Sequence, residues 1–382
     1  MEFDFTWLLL GFPIVFTLGW LASRLDLRQL RIENRQAPKA YFRGLNFLLN
    51  EQQDQAIDAF IEAVQNDPDT SELHFALGNL FRRRGEYDRA VRVHEHLLSR
   101  ADLAQPDRDR AQHALALDFL KAGLLDRAEV SLRKLEGTQF EEESRLALLS
   151  IYERSRDWPQ ATEIAIKLDS SSHASFGVRQ SHYLCEQAQA SMAAGATEQA
   201  LALLGRAASL APDAPRPLID LAKIQRQLGQ QAEAYATLTQ LEQKAPQALP
   251  LVAGLLARVA AGTGQGDAAL AQLHRNYATF PTIDVVEAII ELDDGTSASP
   301  REWYMRHLER QASLVAASKW IAGEVLENAH HHDLVKRALE RATKPLLRYR
   351  CAACGFEATQ HFWHCPGCQA WDSYPPRRIE EL

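Results

Sequence analysis

Four of the five cysteines in this chain of 382 residues lie near its C-terminus, in two pairs with metal-binding spacing. Cys351 and Cys354 form the first Cys-x-x-Cys pair, and Cys365 and Cys368 form the second. Four thiolates at this spacing can close a tetrahedral shell around one metal ion. A segment this short cannot build a stable core alone, so the metal supplies much of its folding free energy. The pattern predicts a small C-terminal module clamped by one metal ion.

The spacing does not identify the metal. A rubredoxin-type pair of knuckles and a zinc ribbon both use four cysteines, and tetrahedral geometry does not choose between iron and zinc. His361 and His364 are other candidate ligands, but four cysteines already complete a closed shell. The fifth cysteine, Cys185, follows Leu184 on a predicted helix, and we expect it to be buried and inert.

The overall composition narrows the class of protein. A formal net charge of −8 gives no general attraction to nucleic acid, so we expect no nucleic-acid partner. Cysteines in metal spacing, without a disulfide framework, favour a reducing compartment.

An uncharged, apolar stretch from Phe5 to Ser23 predicts an N-terminal transmembrane helix. Nineteen residues reach about 28 Å as a helix, close to the thickness of the hydrocarbon core. The acidic Glu2 and Asp4 argue against a cleaved signal peptide, which would begin with basic residues. Basic residues follow the stretch and none precedes it, as at Arg24 and Arg28. The positive-inside rule therefore predicts a single-pass protein with a short periplasmic N-terminus and the bulk of the chain in the cytoplasm.

The middle of the chain repeats with a helical period. One alanine recurs at intervals of 33 to 39 residues, at Ala56, Ala90, Ala128, Ala161, Ala200, Ala234 and Ala269. Glycine turns precede it in several units, as at Gly85, and bulkier residues often follow four positions later, as at Phe60 and Leu204. This pattern resembles the tetratricopeptide repeat, whose period is about 34 residues. Helix pairs of this kind stack because one pair alone cannot bury its apolar face.

These features predict an all-α protein in five parts: a transmembrane anchor (1–23), a basic juxtamembrane segment (24–36), a superhelix of about seven tetratricopeptide repeats (37–281), a helical cap (282–344) and a rubredoxin-like metal-binding domain (345–382). Repeat arrays bind protein segments along their concave face and carry no chemistry of their own. The cap is too short for an ordinary catalytic domain, so we predict that the protein is not an enzyme, such as a transferase that docks its substrate on the repeats.

The C-terminal motif makes the assignment more specific. The stretches 349–356 and 363–368, with Trp371, follow an anchor and a repeat array, and this order closely resembles the lipopolysaccharide assembly protein B family of Gram-negative bacteria. The resemblance implies an inner-membrane protein that restrains lipopolysaccharide synthesis. It does so by helping the membrane protease FtsH to degrade the deacetylase that commits precursors to lipid A, and it coordinates assembly with lipopolysaccharide export proteins. The resemblance also carries the family's metal ligands, usually described as an iron site, onto the four C-terminal cysteines.

Two kinds of non-enzymatic function stay open. The first is a membrane-tethered adaptor or scaffold, whose tether raises the effective concentration of membrane partners. The second is a rubredoxin-like electron-transfer protein tethered to the membrane, which requires iron at the four cysteines. Gly11 and Gly19 in the anchor could support a homo-oligomer. The basic stretch 24–43 could contact inner-membrane lipids, either as a topology signal or by specific recognition.

Overall fold

The computed structural model describes residues 12–13, 15–20, 39–171, 176–293, 298–324 and 329–382. The predicted anchor over residues 1–23 lies mostly outside the described residues, and the predicted juxtamembrane segment 24–36 lies wholly outside them. Within the described ranges, no helix combines the length and the apolar character that crossing a bilayer requires.

Helices dominate the described residues, and only two short strands and two 3-10 segments accompany them. The helices are α1 (39–49), α2 (Gln53–Asn66), α3 (Ser71–Arg84), α4 (Tyr87–Ser99), α5 (Gln105–Ala122), α6 (Leu125–Arg133), α7 (Glu141–Ser155), α8 (Trp158–Ser171), α9 (Gly177–Ala193), α10 (Thr197–Leu210), α11 (Pro215–Gln227), α12 (Gln231–Lys244), α13 (Ala253–Thr263), α14 (Gly266–Thr279), α15 (Ile283–Asp293), α16 (Pro300–Arg310), α17 (Leu314–Ala322) and α18 (Ala329–Thr343). The 3-10 segments are Pro246–Val252 and Ile379–Glu381. Strands β1 (Tyr349–Arg350) and β2 (Glu357–Ala358) pair antiparallel in the predicted metal-binding domain, residues 345–382, which we call the metal module.

The repeat pattern of the sequence corresponds to close packing between helices. All seven alanines of the recurring series are completely buried. In the first well-formed pair, Gly78 of α3 faces His94 of α4, and a Cβ atom at Gly78 would lie 2.5 Å from the imidazole ring. Small residues are needed at such positions because the two backbones approach closely. The predicted tetratricopeptide packing is confirmed in the described helices.

The turns inside the helix pairs share one backbone geometry. At the end of α3, the amide of Gly85 donates to the carbonyl of Arg82, and the amide of Glu86 donates to the carbonyl of Phe81. This pair of hydrogen bonds requires a residue with left-handed backbone conformation, usually glycine, and Gly85 has a φ of +83°. The same geometry is formed by Glu51 after α1 and by Arg156 after α7, with φ of +59° and +58°. An arginine at this position was not expected from the sequence pattern.

The chain divides into two compact units, Met1–Ile151 and Tyr152–Leu382. In the first unit, α1 to α4 enclose a core that includes Ile57, Phe60 and Phe81. A polar cluster is also buried there: Oδ1 of Asp118 accepts a hydrogen bond from Arg82 at 2.8 Å, and Oδ2 lies 2.5 Å from Nδ1 of His94.

The second unit contains the later repeat helices, the cap helices and the metal module. Its largest core runs from α11 to α16 and includes Leu238, Leu256 and Ile289. Ile283 and Val315 of the cap helices form a smaller cluster, against which Leu346 packs. The segment that leads into the metal module is therefore anchored on the cap helices.

Candidate metal centre

The structure brings together the four cysteines of the paired motif. The Sγ atoms of Cys351, Cys354, Cys365 and Cys368 all lie within 4.8 Å of one another. The distance is 3.8 Å between Cys351 and Cys368, and 3.7 Å between Cys354 and Cys365. A tetrahedron with metal–sulfur bonds of about 2.3 Å has sulfur–sulfur edges of about 3.8 Å. The four sulfurs could therefore hold one metal ion, and this geometry suits iron and zinc equally.

Each cysteine pair is held by the same backbone turn. The amide of Cys351 donates to the carbonyl of Phe356, and the amide of Gly355 donates back to the carbonyl of Cys351, both at 2.9 Å. The second pair repeats both bonds at 2.9 Å, starting from Cys365 and from Gln369. Gly355 and Gln369 both have positive φ, at +77° and +62°. The second knuckle thus uses a non-glycine residue where the first uses glycine.

Hydrogen bonds around the sulfur of Cys351 favour the thiolate form that binds metals. Burial raises the pKa of Cys351, but hydrogen bonds from the Ser373 hydroxyl and from the amides of Cys354 and Ala353 outweigh it and lower that pKa to about 6. The Ser373 hydroxyl lies 3.2 Å from Sγ of Cys351. Two of the four cysteines are buried, while Cys354 and Cys368 are exposed, so one side of the centre faces solvent.

The other candidate residues lie away from the sulfurs. Nε2 of His361 bonds to the carbonyl oxygen of Tyr374 at 3.0 Å, and burial lowers the pKa of His361 to about 4. The His364 ring stacks on Trp371, with ring centroids 4.3 Å apart. Neither histidine belongs to the four-cysteine group found among the described residues. Cys185 is buried in α9, as predicted, and burial raises its pKa, which disfavours a reactive thiolate.

Residues that follow the second knuckle attach the module to the repeat helices. Nε1 of Trp371 donates to Oε1 of Glu153 on α7 at 3.0 Å. The indole stacks on His182 of α9 at 4.8 Å and meets Trp158 of α8 edge-on at 6.0 Å. Asp372 pairs with Nε2 of His182 at 2.9 Å. The loop that carries two of the metal ligands is therefore continuous with the surface that docks on the helices.

The C-terminal tail makes a second attachment, on the cap helices. The Arg378 guanidinium binds both oxygens of Asp284, at 2.7 and 2.8 Å. Glu381 accepts a hydrogen bond from the amide of Ile283 at 2.6 Å, and Glu380 accepts one from the amide of Val315 at 3.0 Å. Carboxylates at these positions satisfy the free amides at the N-termini of α15 and α17.

The sequence predicted the four cysteines of the site, but not the residues that receive the module. Glu153 and His182 are buried polar residues on helix faces where apolar residues would be expected. That polarity was the available signal, because a buried polar side chain needs a partner. Asp284 and Arg378 carried no comparable signal.

Comparison with known proteins supports the assignment of both the repeat helices and the metal module. Residues 349–375 match the family model described as the rubredoxin metal binding domain, and residues 73–109 and 191–259 match tetratricopeptide repeat models. A crystal structure of a tetratricopeptide repeat protein from Parabacteroides merdae aligns with 68% of this chain and 99% of its own. The TM-score is 0.35 and the sequence identity is 15%.

Two curated relatives match almost the whole chain. Lipopolysaccharide assembly protein B of Escherichia coli (strain K12) is 31% identical over 97% of this chain and 98% of its own length. Lipopolysaccharide assembly protein B of Haemophilus influenzae is 28% identical over 98% of each chain. The chain therefore belongs to the lipopolysaccharide assembly protein B family.

Proposed function

We propose that this protein is a non-enzymatic adaptor that takes part in lipopolysaccharide assembly at the inner membrane of a Gram-negative bacterium. The observation that carries the proposal is the alignment of 97% of the chain with a relative named for this process. The tetratricopeptide matches add a repeat class that binds protein segments.

The metal has a structural role in this proposal. Cys351, Cys354, Cys365 and Cys368 bind one ion, which is iron by family resemblance or else zinc. The ion fixes both knuckles, and with them the position of Trp371 on the repeat helices. The sulfur separations and the contacts of Trp371 support this role.

The adaptor acts by bringing membrane partners together. Residues 1–23 anchor the chain with its bulk in the cytoplasm, and the repeats of 37–281 hold a client. The partners are the membrane protease FtsH and the deacetylase that commits precursors to lipid A, whose degradation lowers lipopolysaccharide synthesis. Lipopolysaccharide export proteins are further partners. Tethering to the same membrane lets modest affinities suffice.

The test uses a strain that lacks the chromosomal gene and carries a plasmid copy. Cys351→Ser combined with Cys354→Ser is expected to release the metal and to lengthen the half-life of the deacetylase. Cys185→Ala is the control, because it removes the one thiol outside the metal cluster and should leave that half-life unchanged. A metal-free protein with normal deacetylase turnover would contradict the structural role of the metal. Crosslinking in membranes that captures neither the protease nor the deacetylase would contradict the adaptor function.

Electron transfer is the second candidate, and one observation favours it. Cys354 and Cys368 are exposed, so an electron could reach an iron ion from the solvent side of the module. Purified iron-loaded protein would then be coloured and reversibly reducible, and zinc-loaded protein would be inactive. Equal complementation by a zinc-loaded form rules out the electron carrier and leaves the structural role.

A further inference from the structure

A cavity of about 360 Å³ lies between the metal module and the repeat helices of the second unit. We call it the module pocket. The module contributes one wall with residues 360–364, and α9 and α11 contribute the opposite wall. Aromatic rings of Trp158, Phe362 and Trp363 line it beside charged side chains. The four cysteines and Trp371 do not line this cavity.

The charges in the module pocket are nearly balanced, with one cation in excess. Arg216 is buried and is neutralised by Glu186 at 2.6 Å and Asp220 at 3.3 Å. Lys223 lies 3.9 Å from the second oxygen of Asp220, at the limit of an ion pair. Arg156 has no carboxylate partner anywhere in the described part of the chain. Three cationic side chains therefore meet two carboxylates, and the excess positive charge belongs to Arg156.

A second cavity of about 360 Å³ adjoins the first, because Lys223 lines both. We call it the cap pocket. Arg378 in its wall is paired with Asp284, and Arg258 lies 3.7 Å from Glu291. Arg226 also lines this cavity, is exposed, and has no carboxylate partner among the residues that the structure describes. Each pocket thus contains one unpaired arginine, and Lys223 stands between them.

The backbone at Arg156 is strained, which is compatible with a role for its side chain in binding. Its φ of +58° lies in the left-handed region, where any residue other than glycine is strained. Glycine occupies the corresponding turn in five places, with φ between 69° and 83°, at Gly85, Gly123, Gly195, Gly229 and Gly264. Glu51 occupies it after α1, with a φ of +59°. Strained residues of this kind cluster at ligand sites. The backbone of Arg156 is therefore less stable than that of a glycine in the same turn, and its side chain is an unpaired cation at the module pocket.

We propose that the module pocket and the cap pocket form one groove that binds an acidic peptide segment of a partner protein. One carboxylate of the segment binds Arg156, a second binds Arg226, and Lys223 contacts the chain between them. The aromatic wall of the module pocket covers an apolar residue of the same segment. This inference rests on the adaptor function, since it assigns the surface that a protein partner contacts.

The test measures binding of two labelled peptides to the full-length, metal-loaded protein in detergent. One peptide has eight residues that alternate glutamate and leucine, and the other has glutamine in place of every glutamate. The acidic peptide is expected to bind at least about tenfold more tightly, as a charge-assisted contact implies, and to weaken as salt rises. Arg156→Gly and Arg226→Gln should each raise its Kd about tenfold.

Matched variants separate loss of binding from loss of structure. Arg156→Gly restores the residue that five of the other turns carry, so it should fold and retain its metal. Arg206→Gln removes an exposed cation from α10, outside both pockets, and should leave the Kd unchanged. Equal affinity for both peptides overturns the proposal, as does unchanged binding to Arg156→Gly. Displacement by inorganic phosphate at the same concentration as the acidic peptide also overturns it, because the groove would then be a general anion site.

Deacetylase turnover in cells distinguishes this proposal from the adaptor function. If the double cysteine variant blocks turnover and Arg156→Gly with Arg226→Gln does not, the adaptor function holds and the groove is not the client site. If the arginine variants block turnover and abolish peptide binding together, both proposals are supported.

Discussion

Each compact unit contains a buried polar cluster, and the two clusters are satisfied in different ways. In the unit that ends at Ile151, both oxygens of buried Asp118 are occupied by side chains of the repeat helices themselves, Arg82 and His94. In the unit that begins at Tyr152, buried Glu153 and His182 bind residues of the metal module. Each of them also has one partner on the repeat helices, Tyr183 for Glu153 and Arg216 for His182. A buried polar atom that loses the partner it binds costs about 1–3 kcal/mol, and removal of the module would take one partner from each of these two residues. The second unit should therefore depend on the metal, whereas the first should not.

Loss of the metal is expected to give the largest effect and to confine it to the second unit. Cys351→Ser with Cys354→Ser removes two of the four sulfurs, and structural metals in small modules contribute about 10–16 kcal/mol of apparent binding free energy. Without the module, α9 loses the cover of Trp371. Hydrogen exchange should show loss of protection in 177–193 and normal protection in 71–84. Equal loss of protection in both segments would contradict the comparison.

The converse change is Asp118→Ala, which breaks the polar cluster of the first unit. Removing one partner of a buried ion pair costs about 3–5 kcal/mol, because the other partners stay buried. Denaturation should show a destabilised first unit, while the metal content stays at that of the parent. Asp58→Ala is the control, since Asp58 is exposed on α2 and its loss should change stability by less than about 0.5 kcal/mol. Release of metal by Asp118→Ala would show that the two units are not independent in this respect.

The features that could be predicted were those set by short or regular spacings in the sequence. The recurring alanines are buried because close helix packing limits side-chain size, and a period of about 34 residues reports that packing directly. The four cysteines converge because each pair is held within one short turn. In both cases the residues that must cooperate are near one another along the chain or repeat at a fixed interval.

The docking of the module was not predictable for the opposite reason. Trp371 binds Glu153 across 218 residues of sequence, and Asp372 binds His182 across 190. No spacing rule connects residues so far apart, and buried polarity at Glu153 and His182 reveals only that a partner exists. Arg156 was not predictable for a third reason. Most turns of this kind carry glycine, and the sequence has arginine at this one.

Acid should weaken the second unit through His361. Burial lowers the pKa of His361 to about 4, whereas in the unfolded chain it is about 6.5. The unfolded chain then binds a proton between these values that the folded protein does not, so the stability is full above about pH 6.5 and falls towards pH 4. The slope for this residue is up to about 1.4 kcal/mol per pH unit. His361→Gln should reduce the slope by that share between pH 7 and 5, in denaturation measured with metal content monitored. Parallel curves for parent and variant would refute this assignment.

The smallest expected change in stability comes from substitutions at the same turn in the two units. Arg156→Gly should stabilise the protein by about 0.5–1 kcal/mol, because relief of left-handed strain exceeds the extra entropy of glycine in the unfolded chain. Gly85→Ala should destabilise the first unit by about 1 kcal/mol, because a φ of +83° is strained for alanine. No atom lies within 4 Å of the added Cβ, so backbone strain is the whole effect and no steric clash adds to it. Thermal unfolding of both variants provides the measurement. A less stable Arg156→Gly protein would mean that the arginine side chain stabilises the fold, and its left-handed backbone would then give no support to a binding role.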